Sequence, residues 1–275
     1  MTWKTPRHTL DLTQRGLIMG VLNVTPDSFS DGGCFFDPDT AVARAAEMES
    51  EGADILDIGG ESTRPGAEAV GLAEELRRVL PVVRSVRAQT QCLISIDTTK
   101  AAAAAAAIEA GADIINDISG LRADPDMAAV AARTGAGLVL MHMQGTPRTM
   151  QHQPAYQDVV HEIQTSLRQC IDAALAAGVA REAIVLDPGI GFGKTLEHNL
   201  AILRRLDAFS LDGRPVLLGV SRKSFLGKIT GSADRKWPTV ALTSYACEKG
   251  VRILRVHDVK ENVQSLRMTE AILRE

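Results

Sequence analysis

The chain has 275 residues, 45% of them hydrophobic and 23% charged, which is typical of a globular protein with a sizeable core. Its 30 basic and 34 acidic residues give a formal net charge of -4, which argues against nucleic acid as a partner. No apolar run is long enough to predict a membrane span. The four cysteines lie far apart and the first residues contain no apolar stretch typical of a signal peptide, so we expect a reduced, cytoplasmic protein.

Short apolar runs predict eight β-strands along the chain. Each run is nearly continuous in apolar residues, as is typical of parallel strands that are covered on both faces. The predicted strands are residues 17–23, 54–60, 93–97, 114–119, 138–143, 184–188, 215–221 and 253–258.

Helix-like segments alternate with these strands. In the second segment apolar residues recur at helical spacing, and in the third a run of seven alanines favours a helix. The predicted helices are residues 40–51, 72–87, 101–107, 125–133, 157–177, 196–208, 239–249 and 260–274.

The alternation predicts an α/β fold, a (β/α)8 TIM barrel with a short N-terminal β-hairpin, as one domain over residues 1–275. An open doubly wound sheet is the alternative. Residues 1–16 precede the first strand, and we expect them to pair as the hairpin that closes the barrel floor.

Polar side chains mark the ends of several predicted strands, where barrel enzymes carry their reactive groups. Each of Asp97, Asn116 and Asp187 alone could simply cap a helix, but three of them on three strands favour a shared site. Carboxylates can accept hydrogen bonds from an amino-pyrimidine edge, and an amide both donates and accepts. With Lys223 as a cation for a carbonyl or ring nitrogen, the set predicts binding of a polar heterocycle such as a pterin.

A second group of strand-end residues predicts a site for an anion and a metal, because the last two strands of barrel enzymes commonly bind phosphate. Its members are Asn23, Thr63, Arg64, Arg222, Arg255 and His257. Residues 188–195 resemble a P-loop but have Pro188 at the first glycine position, so that motif fails. The histidines lack zinc-ligand spacing, so any metal is expected to be a hard cation bound through oxygen.

Motifs after most of the predicted strands resemble those of dihydropteroate synthases, in the same order and over essentially the whole chain. The matching segments are LNVTPDSFSDGG (22–33), DIGGESTRPGA (57–67), SIDTTK (95–100), INDISG (115–120), LMHMQGTPRTMQ (140–151), LDPGIGFGKT (186–195), GVSRKSFLG (219–227) and RVHDVKE (255–261).

The resemblance implies a transferase of folate biosynthesis that joins (7,8-dihydropterin-6-yl)methyl diphosphate to 4-aminobenzoate, forms 7,8-dihydropteroate and is a target of sulfonamides. It implies Asp97, Lys223 and Arg255 as catalytic residues and Asn23 as the ligand of Mg²⁺. It places pterin diphosphate on Thr63, Arg64, Asp97, Asn116, Asp187, Lys223, Arg255 and His257. It places 4-aminobenzoate beside Phe29, Pro65, Lys223 and Ser224.

Two other functions share some of these features. A methyltransferase that passes a methyl group from methyltetrahydrofolate to a corrinoid protein would also need pterin-reading Asp and Asn, but it has no use for the SRKS and RVHD segments. A non-catalytic pterin-binding protein is the other alternative, and the intact strand-end residues argue against it. The resemblance also implies a homodimer, although Trp237-Pro238-Thr239 departs from the small residues expected near that contact.

Overall fold

The computed structural model describes residues 1–25, 38–63 and 66–274. The strands in these ranges are β1 (Thr2–Lys4), β2 (Thr9–Asp11), β3 (Leu17–Asn23), β4 (Ile55–Gly59), β5 (Leu93–Asp97), β6 (Ile114–Asp117), β7 (Gly137–Met141), β8 (Ile184–Asp187), β9 (Leu217–Leu218) and β10 (Ile253–Val256). The sequence predicts β3 and β5 to the residue. The seventh barrel strand is much shorter than predicted, because the chain leaves the sheet after Leu218.

The helices lie between the strands, as predicted. They are α1 (Pro38–Ser50), α2 (Leu72–Gln89), α3 (Ala101–Glu109), α4 (Met127–Thr134), α5 (Val159–Ala176), α6 (Leu196–Arg204), α7 (Ser224–Thr230), α8 (Lys236–Glu248) and α9 (Val259–Leu273). The sequence analysis missed α7, a helix of 7 residues that follows Lys223. None of these helices is long and apolar enough to cross a membrane.

Strands β3 to β10 form one parallel sheet in the order β8-β7-β6-β5-β4-β3-β10-β9. The two edges of this sheet meet, because Leu186 on β8 forms a parallel bridge with Val216. Leu186 N also donates to Pro215 O at 3.0 Å. The prediction of a (β/α)8 barrel is therefore confirmed, and the open doubly wound sheet is wrong.

Alternate residues of each barrel strand point toward the barrel axis, since successive side chains of a strand point to opposite faces. Near the amino ends of the strands the inward residues are apolar and form one buried cluster, which includes Ile55, Leu93 and Ile253. Two residues further along the same strands the inward positions hold Asp57, Ser95 and Arg255. The barrel therefore has an apolar lower layer and a polar upper layer.

The N-terminal hairpin closes the apolar end of the barrel, as predicted. Strand β1 pairs antiparallel with β2, and Trp3 of β1 is fully buried within the lower layer. The Trp3 indole Nε1 donates to the carbonyl oxygen of Ala183 at 3.0 Å, which satisfies its one polar group. Trp3 thus plugs the floor of the barrel, and the opposite end carries the polar groups.

We predict that Trp3→Ala lowers the free energy of unfolding by about 3–5 kcal/mol, because it leaves a large cavity in the floor. Trp3→Phe keeps a ring but loses the hydrogen bond to Ala183, so its loss should be smaller. Urea unfolding of the two variants and the wild type measures the difference. A Trp3→Ala midpoint equal to that of the wild type would show that Trp3 does not hold the floor.

Candidate active site

A cluster of polar side chains lies inside the barrel toward the carboxyl ends of β4, β5, β6 and β10. The Arg255 guanidinium donates from Nε to Asp57 Oδ2 at 2.6 Å and from Nη2 to Asp97 Oδ2 at 2.8 Å. Asn116 Nδ2 donates to the same oxygen of Asp57 at 3.1 Å. We call Asp57, Asp97, Asn116 and Arg255 the mouth cluster.

Burial and neighbouring charges shift the pKa values of two members of the mouth cluster, Asp97 and Arg255. Asp57 is fully buried and Asp97 is nearly so. Burial raises the pKa of Asp97, and the neighbouring carboxylate of Asp57 adds to this rise while Arg255 opposes it. Burial alone would lower the pKa of Arg255, but Asp57 and Asp97 hold it above its ordinary value, so the guanidinium stays charged.

Two buried oxygens, one in the mouth cluster and one on the neighbouring inward position of β5, have no hydrogen-bond partner among the described residues. They are Asp57 Oδ1 and Ser95 Oγ. Because buried polar atoms in proteins nearly always have a partner, these oxygens mark a place where a polar ligand or water can bind. The upper layer of the barrel can therefore accept hydrogen bonds beyond those within the protein.

Asp187 and Lys223 approach the same region from β8 and from the segment after β9. Asp187 is buried, its Oδ1 accepts from Gly189 N at 2.7 Å, and burial raises its pKa. Lys223 Nζ donates to the carbonyl oxygen of Ile190 and lies 4.3 Å from the centroid of the Phe192 ring. Burial lowers the pKa of Lys223 to about 7, against the attraction of Asp187. This ammonium group can therefore lose or regain its proton near neutral pH.

The predicted anion-binding residues occupy different surroundings at the barrel mouth. His257 Nδ1 lies 2.9 Å from Ser221 Oγ, and its backbone N–H donates to the same hydroxyl at 3.1 Å. Arg222 makes a two-pronged ion pair with Asp258, at 3.0 Å from Nε and 2.5 Å from Nη2. The sequence analysis placed Arg222 among the anion-binding residues, and in the structure its guanidinium is paired with Asp258.

Three further predicted residues lie at or after the carboxyl ends of barrel strands. Asn23 ends β3, Thr63 follows β4 and is partly buried, and Ser224 is the first residue of α7. Gly59 lies between Asn23 and Asp97, since a Cβ there would be in ordinary van der Waals contact, at 3.5 Å, with Asn23 Oδ1 and with Asp97 Cβ. The predicted residues Phe29, Arg64 and Pro65 lie outside the described residues.

Sequence reasoning did not assign a role to Asp57, although it stands in the quoted segment DIGGESTRPGA. Asp57 stands two residues after the inward-facing Ile55, and this spacing could have shown that Asp57 points into the barrel. It also missed Lys194, a buried lysine whose Nζ lies 3.1 Å from His142 Nδ1 and 2.9 Å from Phe192 O. Burial lowers the pKa of Lys194 well below its ordinary value and that of His142 to about 3.

Comparison with known proteins agrees with this geometry. Residues 19–257 match the family described as pterin binding enzyme. The chain is 47% identical over 267 residues to the dihydropteroate synthase of Synechocystis sp., covering 96% of this chain and 92% of that protein. The chain belongs to the dihydropteroate synthase family.

Solved structures of dihydropteroate synthases have the same fold. The enzyme of Yersinia pestis with a sulfonamide drug complex is 45% identical, superposes with a TM-score of 0.93 and covers 99% of each chain. The Xanthomonas albilineans enzyme with 4-aminobenzoic acid is 42% identical, also has a TM-score of 0.93 and covers 100% of this chain and 98% of that chain. The resemblance predicted from the motifs is confirmed, and the corrinoid methyltransferase alternative is set aside.

We predict that Asp57→Ala destabilises the protein by about 3–5 kcal/mol, because it removes one of the two carboxylates that compensate the charge of the partly buried Arg255. Asp172→Ala, at an exposed aspartate of α5, serves as the matched control and should change stability by less than about 0.5 kcal/mol. Urea unfolding at neutral pH measures both. Equal midpoints for the two variants would contradict a structural role of Asp57 in holding Arg255.

Proposed function

We propose that this chain joins (7,8-dihydropterin-6-yl)methyl diphosphate to 4-aminobenzoate at the mouth of its barrel, giving 7,8-dihydropteroate and diphosphate. One observation carries the proposal most directly. Carboxylates, an amide, a lysine and an arginine from β4, β5, β6, β8, β10 and the segment after β9 converge on the polar end of the barrel. Such a set matches the alternating donors and acceptors along the edge of a pterin.

In this proposal the polar side chains at the barrel mouth recognise the pterin through hydrogen bonds. Asp187 accepts hydrogen bonds from the amino-pyrimidine edge, while Asn116 both donates and accepts. Asn116 is already oriented for this task by its hydrogen bond to Asp57. Lys223, in its protonated form, donates to a carbonyl or ring nitrogen, and Asp97 lies on the side of the reacting carbon.

We assign the binding of the leaving diphosphate to Arg255, Thr63, Arg64 and His257. Positive charge there stabilises diphosphate as its bond to the pterin methylene breaks, and the departing oxygen keeps the electron pair. The methylene becomes a cation conjugated with the dihydropterin, with Asp97 nearby as a counter-charge. The amine of 4-aminobenzoate then attacks that carbon and afterwards loses a proton, so the chain needs no nucleophilic side chain of its own.

The second substrate is proposed to lie beside Phe29, Pro65, Lys223 and Ser224. Lys223 immediately precedes α7 and Ser224 is its first residue, so both follow the seventh barrel strand at the carboxyl end of the barrel. The structure of the Xanthomonas albilineans relative with 4-aminobenzoic acid supports this choice of substrate. Lys223 would thus border both substrates.

Mg²⁺ fits the oxygen donors at this end of the barrel. Within the described residues no group of three or more His, Cys, Asp or Glu could hold a metal, and this proposal names one protein ligand for Mg²⁺, Asn23. The amide oxygen of Asn23 lies at the end of β3, beside Gly59 and near Asp97, and Mg²⁺ commonly combines such a ligand with substrate phosphates. When bound, the ion would neutralise charge that develops on the leaving diphosphate.

A homodimer is also proposed, from an exposed apolar surface on α8 and α9. Trp237 is 60% exposed, and Met268 and Ile272 on the packed neighbour α9 are 65% and 70% exposed. Val240 and Leu242 of α8 are half-buried, and Leu242 packs against the core of its own chain. A cytoplasmic location remains a proposal, supported by the buried free thiols Cys92, Cys170 and Cys247.

The activity itself is tested by incubating the protein with pterin diphosphate, radiolabelled 4-aminobenzoate and Mg²⁺. Labelled dihydropteroate and free diphosphate should appear in equal amounts. Arg255→Met should lower the rate by at least about 100-fold, because a donor that meets developing charge contributes several kcal/mol. Tight pterin binding without any labelled product would instead support a non-catalytic pterin-binding protein.

The metal assignment predicts a selective defect in Asn23→Ala. Losing the amide oxygen should raise the Mg²⁺ concentration needed for half-maximal activity by about tenfold, which corresponds to about 1.4 kcal/mol. Binding of a pterin that lacks the diphosphate should stay unchanged, because that ligand offers no phosphate oxygens to the ion. Titration calorimetry that finds both ligands weakened equally would contradict the assignment.

For the dimer, light scattering at micromolar concentration should give a mass near twice 29.4 kDa. Trp237→Ser removes apolar area from the proposed contact and should shift the mass toward the monomer. Leu175→Ser, at a leucine of α5 that is 38% exposed, is the control and should leave the mass unchanged. A monomeric wild type, or equal behaviour of the two variants, would overturn this contact.

A further inference from the structure

Lys100 joins two glutamates from two other parts of the chain. Its Nζ donates to Glu61 Oε2 at 2.5 Å and to Glu75 Oε2 at 2.6 Å. Glu61 lies after β4, Glu75 lies in the first turn of α2, and Lys100 lies after β5. Burial works against the charge of Lys100, but the two glutamates raise its pKa, so the ammonium group stays protonated.

Backbone hydrogen bonds fix the position of Lys100. Lys100 caps the amino end of α3, and its carbonyl oxygen accepts from Ala104 N at 3.0 Å. Its own N–H donates to Thr98 Oγ1 at 3.2 Å. Lys100 follows Asp97 by three residues, so Lys100 and the Asp97 carboxylate of the mouth cluster belong to one short segment.

The segment after β4 is held against α2 just before Glu61. A Cβ at Gly60 would lie 2.7 Å from Val79 Cγ1, so the backbone can reach this position on the helix because the residue is glycine. The Gly60 carbonyl oxygen also accepts from Arg78 Nη1 at 2.9 Å. The next residue, Glu61, then meets Lys100, and Thr63 follows two residues later.

We propose that Lys100, acting through Glu61, is a positioning residue that fixes Thr63 relative to Asp97 for binding of the diphosphate group. The inference rests on the proposed function, in which Thr63 contacts the diphosphate and Asp97 lies beside the pterin. The buried carboxylate of Glu75 fixes the position of Lys100. Lys100 in turn fixes the position of Glu61, and so of Thr63 two residues later. Displacing a binding group by about 1 Å can cost on the order of 100-fold in rate, so this anchoring affects function as well as local structure.

The test uses Glu61, because changing Lys100 would leave the fully buried Glu75 without a cation and could unfold the chain. Glu61→Ala should weaken binding of pterin diphosphate about tenfold by calorimetry and raise its KM by a similar factor. Binding of a pterin that lacks the diphosphate should change by less than about twofold, because Asp187 and Asn116 are untouched. The thermal unfolding midpoint should match that of the wild type.

Two further variants complete the experiment. Glu61→Gln keeps an oxygen that can accept from Lys100, and it should recover most of the affinity for pterin diphosphate. Glu68→Ala, at an exposed glutamate after the same strand, should behave as the wild type. Equal affinity of Glu61→Ala and wild type for pterin diphosphate, or equal weakening of both pterin ligands, overturns the inference. Failure of the wild type to bind pterin diphosphate overturns the proposed function instead.

Discussion

The rest of the site depends on one partly buried arginine. Arg255 stands on β10 and is held by Asp57 of β4 and Asp97 of β5, so one side chain links strands that are not neighbours in the sheet. Burying such charges is costly, and an apolar replacement of a whole buried ion cluster is often neutral or stabilising. The apolar lower layer shows that this barrel can fill its interior without charge. The charged upper layer is therefore explained better by function than by stability.

The mouth cluster holds its charged and polar groups in fixed orientations, which favours a reaction that separates charge. Donors and carboxylates that are already oriented need little reorganisation when a leaving anion and a carbon cation develop. Asp57 fixes both Arg255 and Asn116 through a single oxygen, so the cation and the amide take up a defined relation to each other. The raised pKa of Asp97 and the lowered pKa of Lys223 both come from the same exclusion of water.

Much of this arrangement could be predicted from the sequence. Continuous apolar runs identified the barrel strands, because parallel strands are covered on both faces, and strand ends located Asp97, Asn116, Asp187 and Arg255. Helix α7 was missed because a helix of 7 residues presents too few turns for a periodic pattern. The pairing of Arg222 with Asp258 escaped notice because it depends on how two separate segments meet. Asp57 was overlooked because only three-dimensional contacts distinguish a counter-ion from an ordinary strand residue.

The central claim is that the buried polar end of the barrel reads the pterin, and calorimetry on Asp187→Asn tests it most directly. The substitution keeps the shape of the side chain but turns one acceptor oxygen into a donor that faces the pterin amino group. A mispaired buried group costs about 1–3 kcal/mol, so pterin diphosphate should bind about 5- to 150-fold more weakly than to the wild type. Unchanged affinity in a folded Asp187→Asn variant would contradict the account.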